Sequence, residues 1–93
     1  MQQVATERLA ASGIQLAAET DAHYLFVRDN CIALVERRGS IGSTGVMTGN
    51  GLAYLIWRDG QAFLKSKTAE TPAAEDQVAV VHRFSQDLAA ALR

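Results

Sequence analysis

Two pairs of adjacent turn-forming residues, each lying between two apolar runs, constrain this chain more than any other feature of its sequence. Asp59 and Gly60 separate LAYLIWR from QAFLK, and Asp-Gly in such a setting is among the strongest sequence signals for a β-hairpin. Asp29 and Asn30 separate HYLFVR from CIALVER, and both residue types tolerate the positive φ that tight turns need. We therefore predict two antiparallel hairpins with two-residue turns.

A two-residue turn fixes which residues of a hairpin lie opposite each other. On one face the predicted pairs are Leu25 with Leu34, Val27 with Ile32, Leu55 with Leu64, and Trp57 with Ala62. On the other face they are Tyr24 with Val35, Phe26 with Ala33, Ile56 with Phe63, and Tyr54 with Lys65. Both faces are strongly apolar, whereas a sheet with one face in water normally alternates apolar and polar residues. We therefore expect both faces to be covered.

Helices are predicted on either side of the hairpins. Residues 2–12 suit a short helix that ends at Gly13, because glycine readily takes the left-handed conformation found at helix ends. Thr71 and Pro72 are expected to be the N-cap and first residue of a second helix. The apolar stripe of that helix consists of Val78, Val81, Phe84, Leu88 and Leu92, whose spacing of three or four residues is typical of a helix with one buried face.

A short edge strand is predicted between the first helix and the first hairpin. Ile14, Leu16 and Ala18 alternate with the residues between them, which is the period of a strand with one buried face. The sequence thus predicts a single α+β domain over residues 1–93. Its five-stranded antiparallel meander sheet lies between an N-terminal and a C-terminal helix that pack mainly on one face.

A glycine-rich segment, residues 39–51 (GSIGSTGVMTGNG), connects the two hairpins and holds five of the seven glycines with no charged residue. Its composition predicts a flexible loop. Loops of this length are disproportionately functional, so a ligand or partner loop is the alternative. The candidate ligand residues are Gly39, Gly42, Ser43, Thr44 and Gly45. The segment has neither the Gly-Lys-Ser/Thr sequence of a P-loop nor the strand and helix of a dinucleotide-binding turn.

The second apolar face of the sheet has no obvious cover. We expect the two helices to cover the more aliphatic face, which contains Leu25, Leu55 and Leu64. The residues then left exposed, and the candidate interface, are Tyr24, Phe26, Val35, Tyr54, Ile56 and Phe63. Leaving six such side chains in water forfeits a free energy comparable to the net stability of a domain. We predict a homodimer through this face; the alternative is a complete monomer with one helix on each face.

The same face suggests a second kind of partner. The aromatic residues there share their hairpin faces with Arg28, Arg58 and Lys65, and aromatics interleaved with cations can stack single-stranded bases. Residues 28–67 carry six cations and three anions, whereas the whole chain has a net charge of −1. This excess is too small to indicate nucleic acid. An unidentified protein, or a small ligand with the glycine-rich segment as a lid, would fit the same surface.

The composition indicates a globular protein and favours a reducing compartment. Apolar residues make up 48% of the chain and charged residues 20%, as in globular proteins. No run approaches the roughly 20 apolar residues needed to cross a bilayer, and Met1 is followed by polar residues rather than a secretory signal. Cys31 is the single cysteine, which excludes an internal disulfide and favours a reducing cytoplasm. We expect no membrane contact.

Catalytic and metal-binding patterns are weak. His23 is predicted to lie opposite Glu36, and Cys31 opposite Arg28, but a solvated pair and an apolar filler are the ordinary interpretations. The two histidines and one cysteine have no HxxxH or CxxC spacing, so no metal site is expected. The sequence predicts no catalytic residue and no cofactor. It indicates a non-enzymatic binding module.

Overall fold

The computed structural model describes residues 6–49 and 51–93. It shows an α+β fold, as predicted: one helix precedes an antiparallel sheet along the chain, and a second helix follows it. The elements are α1 Thr6–Ala11, β1 Gln15–Glu19, β2 His23–Arg28, β3 Cys31–Glu36, β4 Ile41–Thr48, β5 Gly51–Arg58, β6 Gln61–Lys65, β7 Glu70–Pro72 and α2 Glu75–Ala91. The sheet has seven strands rather than five, because β4 and β7 add to the five predicted strands.

The sheet is a meander in which every strand pairs with the strand that precedes or follows it along the chain. Both hairpins have the predicted register: Leu25 lies opposite Leu34, and Ile56 lies opposite Phe63. Asp59 and Gly60 take positive φ angles of 52° and 80°, as the second turn requires. The two-residue turns therefore set the local pairing as the sequence indicates.

The prediction that residues 39–51 form a loop is wrong, because β4 occupies most of this segment. Gly39, with a φ of 101°, lies in the turn that leads into β4. The strand then pairs with β3 on one side and β5 on the other. Gly42 and Gly45 have low strand propensity, but Ile41, Thr44, Val46 and Thr48 are β-branched residues that favour strands. Their preference, together with hydrogen bonding to two flanking strands, holds β4 extended.

The expected start of the second helix is also wrong. Thr71 and Pro72 belong to β7, where Pro72 lies opposite Phe63. Proline is compatible with the last strand of a sheet because no further strand needs its missing N–H. The helix α2 begins at Glu75 after Ala74, whose N–H donates to Oε1 of Gln77 at 3.0 Å. Gln77, the third residue of α2, thus accepts a hydrogen bond from the residue that precedes the helix, and Thr71 takes no part in the start of α2.

The core lies between the two helices and one face of the sheet. Its buried members are Leu9, Ile14, Tyr24, Phe26, Cys31, Ala33, Val35, Val81, Phe84, Leu88 and Ala91. Three residues of the predicted α2 stripe are therefore central to it, while Val78 and Leu92 are half-buried. Leu9 and Ile14 close the end of α1 around Gly13, which has a φ of 72°. The predicted helix over residues 2–12 is confirmed from Thr6 to Ala11, and residues 1–5 lie outside the described residues.

Arg28 connects the first hairpin to both helical ends of the chain. Its Nη1 donates to Oδ2 of Asp87 in α2 at 2.8 Å and to the carbonyl oxygen of Ser12 at 3.0 Å. The guanidinium carbon also lies 5.5 Å from the centroid of the Phe84 ring. This ion pair therefore fixes α2 across the sheet face that contains the core.

Candidate binding surface

The second face of the sheet carries no helix among the described residues. Its composition follows from the register across β4, because Ile32 lies opposite Gly45 and Gly45 lies opposite Tyr54. Residues opposite each other in antiparallel strands share a face. We call this face the open face. Its large apolar side chains are Leu25, Val27, Ile32, Leu34, Met47, Leu52, Tyr54, Ile56 and Phe63.

The open face is apolar but only partly shielded from solvent. Ile32 is completely buried although it lies on this face. Met47 and Leu52 are 46% and 37% exposed. The remaining apolar residues of the open face are half-buried. The surface is thus a broad apolar area with its most accessible residues at the β4–β5 turn.

The six predicted interface residues divide between the two faces. Tyr54, Ile56 and Phe63 lie on the open face and are half-buried. Tyr24, Phe26 and Val35 are 6%, 0% and 0% exposed and lie beneath the helices. The expectation that the helices cover the Leu25 side of the first hairpin is therefore wrong. No signal within either hairpin could have revealed this, because the relative phase of the hairpins is set by β4.

The division of the aromatics also removes the predicted stacking surface for single-stranded nucleic acid. Tyr24, Phe26 and Arg28 point to the core, whereas Tyr54 and Phe63 lie on the open face. On the open face, the guanidinium carbon of Arg58 lies 5.7 Å from the centroid of the Phe63 ring. The structure therefore does not bring the four aromatics and three cations together on one surface.

The glycine-rich ligand candidates do not form a loop that could act as a lid. Gly42, Ser43, Thr44 and Gly45 are consecutive residues of β4, and Gly39 precedes the strand. Gly45 is buried between β3 and β5. Successive residues of a strand point to opposite faces, so their polar groups do not converge on one ligand.

A groove lies at the β5–β6 end of the open face. Its volume is about 630 Å³, and its lining includes the apolar side chains of Leu52, Tyr54 and Ile56 together with Lys65 and Lys67. Ligand pockets in proteins typically have volumes of roughly 300 to 1,000 Å³. The open face therefore contains a concave apolar area with two cations at its wall.

The pairs His23–Glu36 and Arg28–Cys31, considered for catalysis in the sequence, have environments that do not favour reactivity. His23 lies opposite Glu36 as predicted, but Oε2 of Glu36 pairs with Nε of Arg38 at 2.8 Å. Burial raises the pKa of the Cys31 thiol, and the coulombic effect of Arg28 opposes this shift only in part. Among the described residues, no group of three His, Cys, Asp or Glu side chains is placed to hold a metal ion.

No protein-family model, curated protein or solved structure matches this chain significantly. In the described part of the chain, neither helix has the length and apolar character required to span a membrane.

Proposed function

We propose that this protein is a non-enzymatic interaction module that forms a homodimer through the open face. The observation that carries the proposal is the set of half-buried apolar side chains, including Tyr54, Ile56 and Phe63, on a sheet face that neither described helix covers. Soluble monomers seldom expose a large contiguous apolar patch. Self-association commonly covers such a patch, and two-fold dimers are the most frequent soluble oligomers.

The energetics of the open face fit a self-complementary interface. Complete burial of one large apolar side chain gains about 1.5 to 3 kcal/mol, and a micromolar dissociation constant corresponds to about 8 kcal/mol. The partial exposure of several residues on this face is sufficient for a gain of that order, before the cost of association. We also propose the reducing cytoplasm as its compartment, because one cysteine forms no internal disulfide. An unidentified protein would compete for the same apolar surface.

The solution mass of the intact protein tests the proposal. Size-exclusion chromatography with light scattering, at tens of micromolar protein, is expected to give twice the 10.0 kDa chain mass. Ile56→Asp places a charge on the open face and is expected to give monomers. Its matched control is Trp57→Asp, because the adjacent Trp57 side chain points to the other face and is 62% exposed. The control is expected to leave the dimer intact.

A second variant separates loss of the dimer from loss of the fold. Leu52 is already 37% exposed in the single chain, so Leu52→Asp is expected to dissociate the dimer while the circular dichroism spectrum stays native. A wild-type protein of monomeric mass would overturn the proposal. The proposal would also be overturned if both variants, Leu52→Asp and Ile56→Asp, were folded and fully dimeric.

A further inference from the structure

The groove at the β5–β6 end of the open face combines an apolar floor with a cationic wall. Leu52, Tyr54 and Ile56 are alternate residues of β5 and lie on the same side of the sheet. Lys65 lies opposite Tyr54 in β6, and Lys67 follows two residues later. An occupant of this groove would therefore meet hydrocarbon along β5 and positive charge at the end of β6.

The positive charge of this wall is not neutralised by a neighbouring carboxylate. Glu70 lies opposite Lys65 across β6 and β7, which is the position from which a carboxylate could pair with it. Both carboxylate oxygens of Glu70 instead accept hydrogen bonds from Arg58, and the Nη2 to Oε1 distance is 3.0 Å. Neither Lys65 nor Lys67 has an ion-pair partner among the described residues. Arg58 thus leaves two ammonium groups available to an external anion.

We propose that this groove binds a small apolar molecule with one acidic head group, of which a medium-chain carboxylic acid is the simplest. The head group lies between Lys65 and Lys67, where each ammonium donates a charge-assisted hydrogen bond. The apolar body lies along Leu52, Tyr54 and Ile56, and the removal of this apolar surface from water stabilises the complex. This ligand site goes beyond the proposed homodimer, because it adds a second kind of occupant at one end of the open face. Leu52, Tyr54 and Ile56 belong to both surfaces, so the ligand and the partner chain compete, and saturating ligand is expected to lower the light-scattering mass of a dimer toward that of one chain.

Isothermal titration calorimetry with decanoate, below the concentration at which it forms micelles, tests the site on the full chain. We expect saturable binding of one decanoate per chain. Decanol has the same tail without the charge and is expected to bind at least about tenfold more weakly. The double variant K65Q/K67Q is expected to reduce decanoate affinity by at least about tenfold while leaving decanol affinity unchanged.

Arg38→Gln is the matched charge control, because the Arg38 side chain is 75% exposed and does not line the groove. It removes a cation without changing the proposed site, so its decanoate affinity is expected to equal that of the wild type. Absence of saturable decanoate binding would overturn the ligand site, as would equal binding of decanoate and decanol or an unaffected K65Q/K67Q variant.

The light-scattering mass of the same proteins, measured without decanoate, distinguishes this result from the test of the homodimer. A monomeric wild type that binds decanoate would overturn the dimer and support the ligand site. A dimeric wild type without decanoate binding would support the dimer and overturn the ligand site.

Discussion

A β-carbon on Gly45 would overlap the carbonyl oxygen of Ala53 on the adjacent strand. It would also lie 2.7 Å from the α-carbon of Tyr54, closer than real β-carbon contacts allow. Both obstacles are backbone atoms, which no side-chain rotation can move. The close pairing of β4 with β5 therefore requires glycine at this position, and that pairing decides which residues form the open face.

We expect Gly45→Ala to lower the free energy of unfolding by about 1 to 3 kcal/mol or more, because forcing atoms into a packed site typically costs this much. Urea denaturation followed by circular dichroism measures the change. Gly49→Ala is the matched control, since no atom beyond its chain neighbours lies within 4 Å of the position that the added methyl group would take. The control is expected to change stability by less than about 0.5 kcal/mol. Equal stability of the two variants would contradict the close approach.

The hairpins are predictable from the sequence because their register depends on residues next to each other in the chain. Asp29, Asn30, Asp59 and Gly60 set the turns, and the apolar runs beside them form the strands. The periodic stripe of α2 is equally local. These elements need no knowledge of the remainder of the fold.

The faces are not predictable in the same way, because they depend on contacts between distant segments. The phase of one hairpin relative to the other is set by β4, because Gly45 lies opposite both Ile32 and Tyr54. A shift of one residue in either pairing would exchange the faces, and nothing within the hairpins specifies this register. This is why Tyr54 and Ile56 are placed correctly away from the helices, but Tyr24 and Phe26 are not.

The ion pair between Arg28 and Asp87 is expected to stabilise the attachment of α2 to the sheet. The side chains are 21% and 38% exposed, so solvent screens their attraction in part. A double-mutant cycle with Arg28→Met and Asp87→Asn, measured by urea denaturation, is expected to give a coupling of about 1 kcal/mol. The coupling should decrease in high salt, because screening weakens partly exposed pairs.

The pair between Arg38 and Glu36 is the control for this cycle. Its side chains are 75% and 43% exposed, and the expected coupling is below about 0.5 kcal/mol. A coupling between Arg28 and Asp87 no larger than that of the control would show that the pair does not hold α2 in place.

The Cys31 thiol is expected to react slowly in the native protein. Its residue is 3% exposed, and burial raises its pKa above the ordinary value for a thiol. Since the thiolate is the reactive form, labelling by a thiol-specific disulfide reagent at pH 8 should be at least about tenfold slower than in urea-unfolded protein. Equal rates in both states would contradict a protonated, buried thiol.

The same raised pKa predicts a direction for the pH dependence of stability. The native thiol keeps its proton at a pH where the unfolded thiol has begun to lose it, so folding is increasingly opposed as the pH rises above the ordinary thiol pKa. The contribution of the protonated thiol to the free energy of unfolding is fully present below the ordinary thiol pKa. It is lost as the pH rises through the raised pKa of the native thiol. Cys31→Ala should therefore show a shallower loss of stability than the wild type between pH 8 and about 10.

The sequential order of the seven strands has a consequence for how the chain reaches its native state. Each strand needs only its chain neighbour in order to pair, so the sheet can grow outward from either tight turn without first closing a long loop. Topologies dominated by such short-range contacts have low contact order and fold faster than sandwiches of similar size. The packing of α2 is the long-range exception, because this last helix returns across the sheet to contact α1 near the start of the described chain.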